Sequence, residues 1–124
     1  MRVGTTCTLH SAVTESNTAA AVGSGDMNVL ATPAMAALME QAAMRAVADS
    51  LPEGSTTVGC RLDISHIRAT TEGRAFCATA EVTAIEGRSI TFALQASDDK
   101  GIIGEGTHIR VIVDRKRFMD KALQ

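Results

Sequence analysis

The amino-acid sequence predicts an α+β domain, a curved antiparallel five-stranded sheet wrapped around one long central helix in the order β-α-β-β-β-β. Three observations carry this. Residues 32–50 have helical punctuation and are apolar nearly all round, as a buried helix is. Four later segments alternate with period two. The connections among those four are short, which predicts an antiparallel meander. A sheet with one apolar face and a single apolar helix has one economical arrangement, the sheet curled around the helix.

The first strand is expected at residues 5–14. Residues 15–31 form a polar, small-residue connection containing Gly23-Ser24-Gly25-Asp26, and a loop this long is more often functional than idle. Thr32 suits an N-cap and Pro33 the first helical position. Leu51-Pro52-Glu53-Gly54 ends the helix. In 58–66, Val58, Cys60, Leu62 and Ile64 share one face, and the count carries His66 onto it. Phe76, Ala78, Ala80, Val82 and Ala84 line up in 75–85, and Ile90, Phe92, Leu94 and Ala96 do so in 88–97. Glu86-Gly87 and Asp98-Asp99-Lys100-Gly101 are hairpin turns. In 102–113, Ile103, Ile109, Val111 and Val113 share the apolar face, opposite Gly104, Gly106, His108 and Arg110. Residues 114–124 read as a charged tail with a Phe118-Met119 anchor.

Composition narrows the function. A chain of 124 residues with 45% hydrophobic content suits one domain with its own core. Aromatic content of 2%, with neither Trp nor Tyr, argues against base-stacking platforms. A net charge of -2 gives no field for a nucleic acid. No apolar run approaches the ~20 residues that span a bilayer. The first residues lack a secretory h-region. Cys7, Cys60 and Cys77 form no Cys-x-x-Cys and are expected as buried reduced thiols of a cytoplasmic protein. His10, His66 and His108 are scattered, without zinc-type spacing. Phosphate-loop, dinucleotide and nucleophile-elbow motifs are missing too, so no metal or cofactor is expected.

What remains is a carboxylate on an apolar helix. Glu40 sits in the middle of that helix, where a charge must be paired, protonated, at an opening or in use. The strand after the helix returns across it, so His66 looks towards helix side chains. Each candidate also has a structural reading. Thr32 is a sufficient N-cap, and Glu40 can pair with Arg45. His66 can be a satisfied core histidine, and Gly59 can ease strand curvature.

Several stretches carry a family resemblance: Ala31-Thr32 followed by Met39-Glu40, Val58-Gly59 followed by Ser65-His66, Ile85-Glu86-Gly87-Arg88, and Gly104-x-Gly106-Thr107-His108-x-Arg110. The chain resembles hotdog-fold thioesterases, most nearly the fluoroacetyl-CoA thioesterase-like group, from about residue 3 to 120. The resemblance implies acyl-CoA hydrolysis with Thr32, Glu40 and His66 as the catalytic set. It also implies that the Gly59 backbone polarises the thioester carbonyl and that Arg110 contributes to substrate binding. CoA carries phosphates, for which Arg88, Arg110, Arg115, Lys116 and Arg117 are the candidate cations. The fluoroacetyl-specific enzyme carries aromatic lid residues before its helix, whereas residues 19–31 here have none.

Thr32 and Glu40 are eight residues apart, ~12 Å along a helix axis. They cannot both touch one carbonyl from the same helix. Either the chain near Thr32 bends back, or two subunits share each site. The expectation is a homodimer, possibly a dimer of dimers, acting on an acyl-CoA small molecule with no nucleic-acid or membrane partner. The competing reading from another class is a non-catalytic acyl-CoA-binding module on the same fold.

Overall fold

The computed structural model describes residues 1–124. In chain order it contains β1 (Thr6–Ala12), α1 (Ala19–Val22), α2 (Thr32–Ala48), β2 (Ser55–His66), β3 (Ala75–Glu86), β4 (Ser89–Asp98), β5 (Gly101–Asp114) and α3 (Arg115–Ala122). The five strands form one antiparallel sheet in the order β1-β3-β4-β5-β2. The expected meander holds for β3, β4 and β5 but not for β2: the connection after His66 carries the chain to the other side of the sheet, so β2 pairs with β5 and β1 takes the place beside β3. This is the hotdog architecture, with α2 laid against the sheet and β1 and β2 as its edges. No helix is long and apolar enough to cross a membrane.

The core is made by short side chains meeting long flexible ones. Met35, Met39, Ala42, Ala43 and Val47 of α2 pack on Ala78, Ala80 and Val82 of β3 and on Ile90, Phe92 and Leu94 of β4. Alanines on both surfaces let helix and sheet approach closely, and methionine fills the irregular gaps. Burying each large side chain contributes about 1.5–3 kcal/mol relative to exposure. The helix is not covered all round as expected. Ala37, Gln41, Met44 and Ala48 form an exposed stripe along it.

Two strand assignments change. In β5 the apolar and polar faces are exchanged. His108 lies opposite Phe92 and Arg110 opposite Ile90, both core residues, so the Gly104, Gly106, His108 and Arg110 face looks inward. Ile109, Val111 and Val113 lie on the opposite face, half-buried. Ile103 is the exception, an extra residue at a register shift that turns into the core. Close approach explains the glycines. A Cβ on Gly104 would sit 2.6 Å from Met35 Sδ, and one on Gly106 would sit 2.1 Å from the Asp63 carbonyl oxygen.

In β2 the alternation breaks. Gly59 pairs with Arg110 and Arg61 with Ile109, leaving Cys60 as a bulge. The extra residue moves Val58 and Cys60 off the expected face and puts Thr57 and Gly59 on it. Leu62, Ile64 and His66 stay where the count put them, so one face now carries both Gly59 and His66. The cysteines differ accordingly. Cys60 is exposed at the bulge, while Cys7 and Cys77 are half-buried, all three as free thiols.

The long connection is more ordered in form than its composition suggests. Thr18 caps α1 through the Ala21 N–H, and Gly23 closes it at φ 90°. Isolated bridges from Thr18 to Leu30 and from Val29 to Thr71 tie its base down. The expected tail is helix α3, capped by Asp114, and Phe118 and Met119 are exposed rather than anchored.

Candidate active site

Helix α2 and strand β2 run in opposite directions, and this pairs the candidate residues. The start of the helix meets the end of the strand, and the middle of the helix meets the bulge. Thr32 is not the N-cap. Ala31 occupies that position without a side-chain bond, and its carbonyl accepts from the Ala34 and Met35 N–H groups. The Thr32 hydroxyl, released from capping, lies 2.7 Å from His66 Nδ1. His66 Nε2 is buried and has no hydrogen-bond partner in the chain. A buried polar atom left so is costly, by about 1–3 kcal/mol, and is uncommon outside working sites. Burial lowers the His66 pKa, offset in part by the backbone at Arg68. The imidazole is therefore neutral at pH 7 and suited to accept a proton. A cavity of about 280 Å³ opens beside the pair, with Ala19, Ser24, Val29, Leu30 and Ile67 among its walls.

Glu40 meets a different histidine from the one expected. Its Oε2 lies 3.9 Å from His108 Nε2 and 3.9 Å from Arg110 Nη1. The carboxylate is 41% exposed, so it is flanked by charge yet open to a reactant. Arg110 is buried and does not reach outward. Its Nε donates to Thr57 Oγ1 at 2.7 Å and its Nη2 to the Thr57 carbonyl at 2.9 Å. Its Nη1 lies 3.1 Å from His108 Nε2, while His108 Nδ1 lies 2.7 Å from the Arg61 carbonyl. The carbonyl can only accept, so the proton sits on Nδ1 and Nε2 accepts from Arg110. Burial lowers the His108 pKa, and Arg110 adds to this against the raising effects of the Arg61 hydrogen bond and Glu40.

Gly59 completes this second cluster. A Cβ there would lie 2.9 Å from Glu40 Oε2 and 3.0 Å from His108 Cε1. A side chain at this position would therefore crowd the flexible Glu40 carboxylate and the His108 ring, a constraint on the site separate from strand curvature. The exposed Arg88 lies apart, on the β3–β4 turn beside the end of β5 and α3. No group of three or more His, Cys, Asp or Glu side chains is placed to hold a metal.

The model of the fluoroacetyl-CoA-specific thioesterase family matches residues 13–116. The fluoroacetyl-CoA thioesterase of Streptantibioticus cattleyicolor is 36% identical over 96 residues, covering 77% of this chain and 69% of that protein. The chain belongs to this family. The solved structure of the fluoroacetyl-CoA thioesterase FlK superposes with a TM-score of 0.94 at 32% identity, over 100% of this chain and 96% of that one. A hot-dog-like protein from Thermanaerovibrio acidaminovorans shares the fold alone, with a TM-score of 0.91 at 24% identity over 99% and 91% of the two chains.

In this family member the structure thus holds two clusters, Thr32 with His66 and Glu40 with Gly59, His108 and Arg110. Sequence reasoning missed His108 and Thr57. The signal for His108 was its i, i+2 spacing to Arg110, which puts both on one strand face. That face was read as the outer one because it is not apolar.

Gly59→Ala is expected to displace the Glu40 carboxylate and sharply lower turnover while leaving the unfolding midpoint close to wild type. Parallel assays and urea melts check this, and an active variant contradicts it. Both histidines resist protonation in the folded chain, whereas in the unfolded chain they titrate near pH 6.5. Stability from this source is therefore complete above about pH 6.5 and declines as pH falls towards the folded-state values. Urea midpoints measured from pH 7.5 to 5.5 should fall, and fall less in His66→Asn. A midpoint that rises with acidity refutes the assignment.

Proposed function

We propose that the protein is an acyl-CoA thioesterase that splits a small acyl-CoA into the carboxylic acid and free CoA at sites shared between two subunits. The observation that carries the reading is the half-exposed Glu40 carboxylate, held open between the Arg110 guanidinium and the space above Gly59. A passive binding module has no need of a carboxylate there. Glu40 either draws a proton from water as it adds to the carbonyl carbon, or attacks that carbon itself and forms an anhydride that water then opens. Both routes need the same ionised oxygen at the same place, and Arg110 supplies a fixed positive charge beside it. The Gly59 backbone and the N-terminal end of α2 are the candidate partners for charge developing on the carbonyl oxygen. Thr32 and His66 relay the remaining proton: water gives it through the Thr32 hydroxyl to the imidazole, which passes it to the departing thiolate, so both side chains end as they began. Arg110 serves by positioning Glu40, since its guanidinium bonds are directed at Thr57 and His108.

The two clusters lie at residues eight apart on α2, ~12 Å along its axis. One small thioester cannot meet both within a chain. A homodimer formed along β2, an edge strand that also carries Gly59 and His66, would bring one subunit's Glu40 towards the other's Thr32 and His66. The cavity beside Thr32, about 280 Å³ and walled by Ala19, Val29, Leu30, Ile67 and Ala69 together with the polar Ser24 and Arg68, suits a short acyl group. Fluoroacetyl specificity is not favoured by residues 19–31, which supply no aromatic side chain. Three free cysteines fit an enzyme of the reducing cytoplasm.

The reading is tested by thiol release from acetyl-, fluoroacetyl-, propionyl- and benzoyl-CoA, on wild type and Glu40→Gln together. Turnover of at least one short acyl-CoA is expected, falling by about 10²–10⁴-fold in the variant. No release from any substrate, or a variant that keeps most of its rate, defeats the reading. The shared site has its own test. Protomers carrying Thr32→Ala, mixed with protomers carrying Glu40→Ala, should regain turnover that neither parent has. Mixed dimers that stay inactive would place each site within one chain.

A further inference from the structure

One groove is used by neither cluster. It has a volume of about 430 Å³ and lies between the end of β5, the β3–β4 turn and α3. Arg88, Arg117 and Lys121 line it, and none of the three forms a salt bridge. Their neighbour Lys116 differs, since it is paired with Asp120 at 2.8 Å. The one carboxylate in the lining, Asp114, is already engaged, its Oδ1 accepting from the Arg117 backbone N–H at 2.9 Å. Three cations gathered around one groove repel one another, and an anion with several charges relieves that repulsion.

The groove also holds the molecule's one available aromatic face. Of the three phenylalanines, Phe76 and Phe92 are buried in the core. Phe118 is 43% exposed and lies in the lining. An aromatic ring beside Arg and Lys side chains is the usual combination for a base with its phosphates.

Position adds a length. Strand β5 runs from Arg110, beside Glu40, to Asp114 in the groove, four residues or roughly 13 Å at the strand rise. The pantetheine arm of CoA, with its two amide units, is comparable to four residues of extended backbone, roughly 13–14 Å.

We propose that this groove binds the phosphoadenosine end of CoA, with Arg88, Arg117 and Lys121 on the phosphates and Phe118 against the adenine. The assignment rests on the acyl-CoA reading above and deepens it. It separates two jobs that the sequence left with one set of arginines: Arg110 orients the carboxylate, and Arg88 with the α3 cations takes the phosphates.

The probe is adenosine 3′,5′-bisphosphate, titrated calorimetrically into wild type, Arg117→Ala/Lys121→Ala and Phe118→Ala. Wild type should bind saturably and more weakly as salt rises. The double variant should lose about tenfold or more in affinity, and Phe118→Ala should lose affinity by a smaller factor. Failure of wild type to bind, or full binding by the double variant, overturns the groove. Steady-state assays separate this from failure of the thioesterase reading. Wild type should show a lower KM for acetyl-CoA than for S-acetyl-N-acetylcysteamine, and the double variant should lose most of that advantage. Turnover of both thioesters with the advantage intact in the variant sinks the groove alone. Absence of turnover with either thioester instead counts against the reading it rests on.

Discussion

Arg110 is a charge in a place where charge is costly, and the arrangement of the site follows from how that cost is met. A buried guanidinium needs its N–H groups satisfied and a negative partner nearby. Thr57 takes two of its bonds and His108 a third, which fixes the plane of the group. Glu40 then supplies the opposite charge from the helix at 3.9 Å. The carboxylate compensates the arginine without being locked by it. A direct bidentate pair would hold Glu40 more firmly and leave its oxygens less free for a substrate.

That requirement reaches back into the backbone. Glu40 fits because Gly59 has no Cβ, and Gly59 faces the helix because β2 carries a bulge at Cys60. Without the extra residue, Gly59 and His66 would fall on opposite faces of a regular strand, being seven positions apart. One inserted residue therefore lets a single strand serve both clusters. The same economy appears in β5. Gly104 and Gly106 admit Met35 and β2 at close range, and the next two inward positions are then filled by His108 and Arg110.

The helix does two things at once. Met35, Met39, Ala42, Ala43 and Val47 hold it on the sheet, while Thr32 and Glu40 present reactive groups along a neighbouring side. Sites on a rigid helix are placed more accurately than sites on a loop, because packing rather than side-chain choice sets the backbone position. The shift of the cap from Thr32 to Ala31 belongs to the same logic. A hydroxyl engaged in capping cannot also face an imidazole, and here the helix begins one residue earlier than its sequence signals suggest.

Most of the fold was legible in the chain itself. Period-two alternation, short turns and a Pro-initiated apolar segment fixed the element order to within a few residues, because these depend on local geometry. Glu40 stood out for an equally local reason, a charge on an apolar helix. The family resemblance then pointed to Thr32, His66, Gly59 and Arg110. What met what was a tertiary matter. The sequence could not show that the polar face of β5 points inward, since burial of His108 and Arg110 is made tolerable only by Thr57, Arg61 and Glu40, from elements far apart in the chain. Nor could it show the bulge at Cys60, which is a mismatch between two strands and belongs to neither alone. Within one chain Glu40 therefore meets His108, a contact made only when the sheet closes around the helix, and not the His66 that counting along β2 places on the inward face.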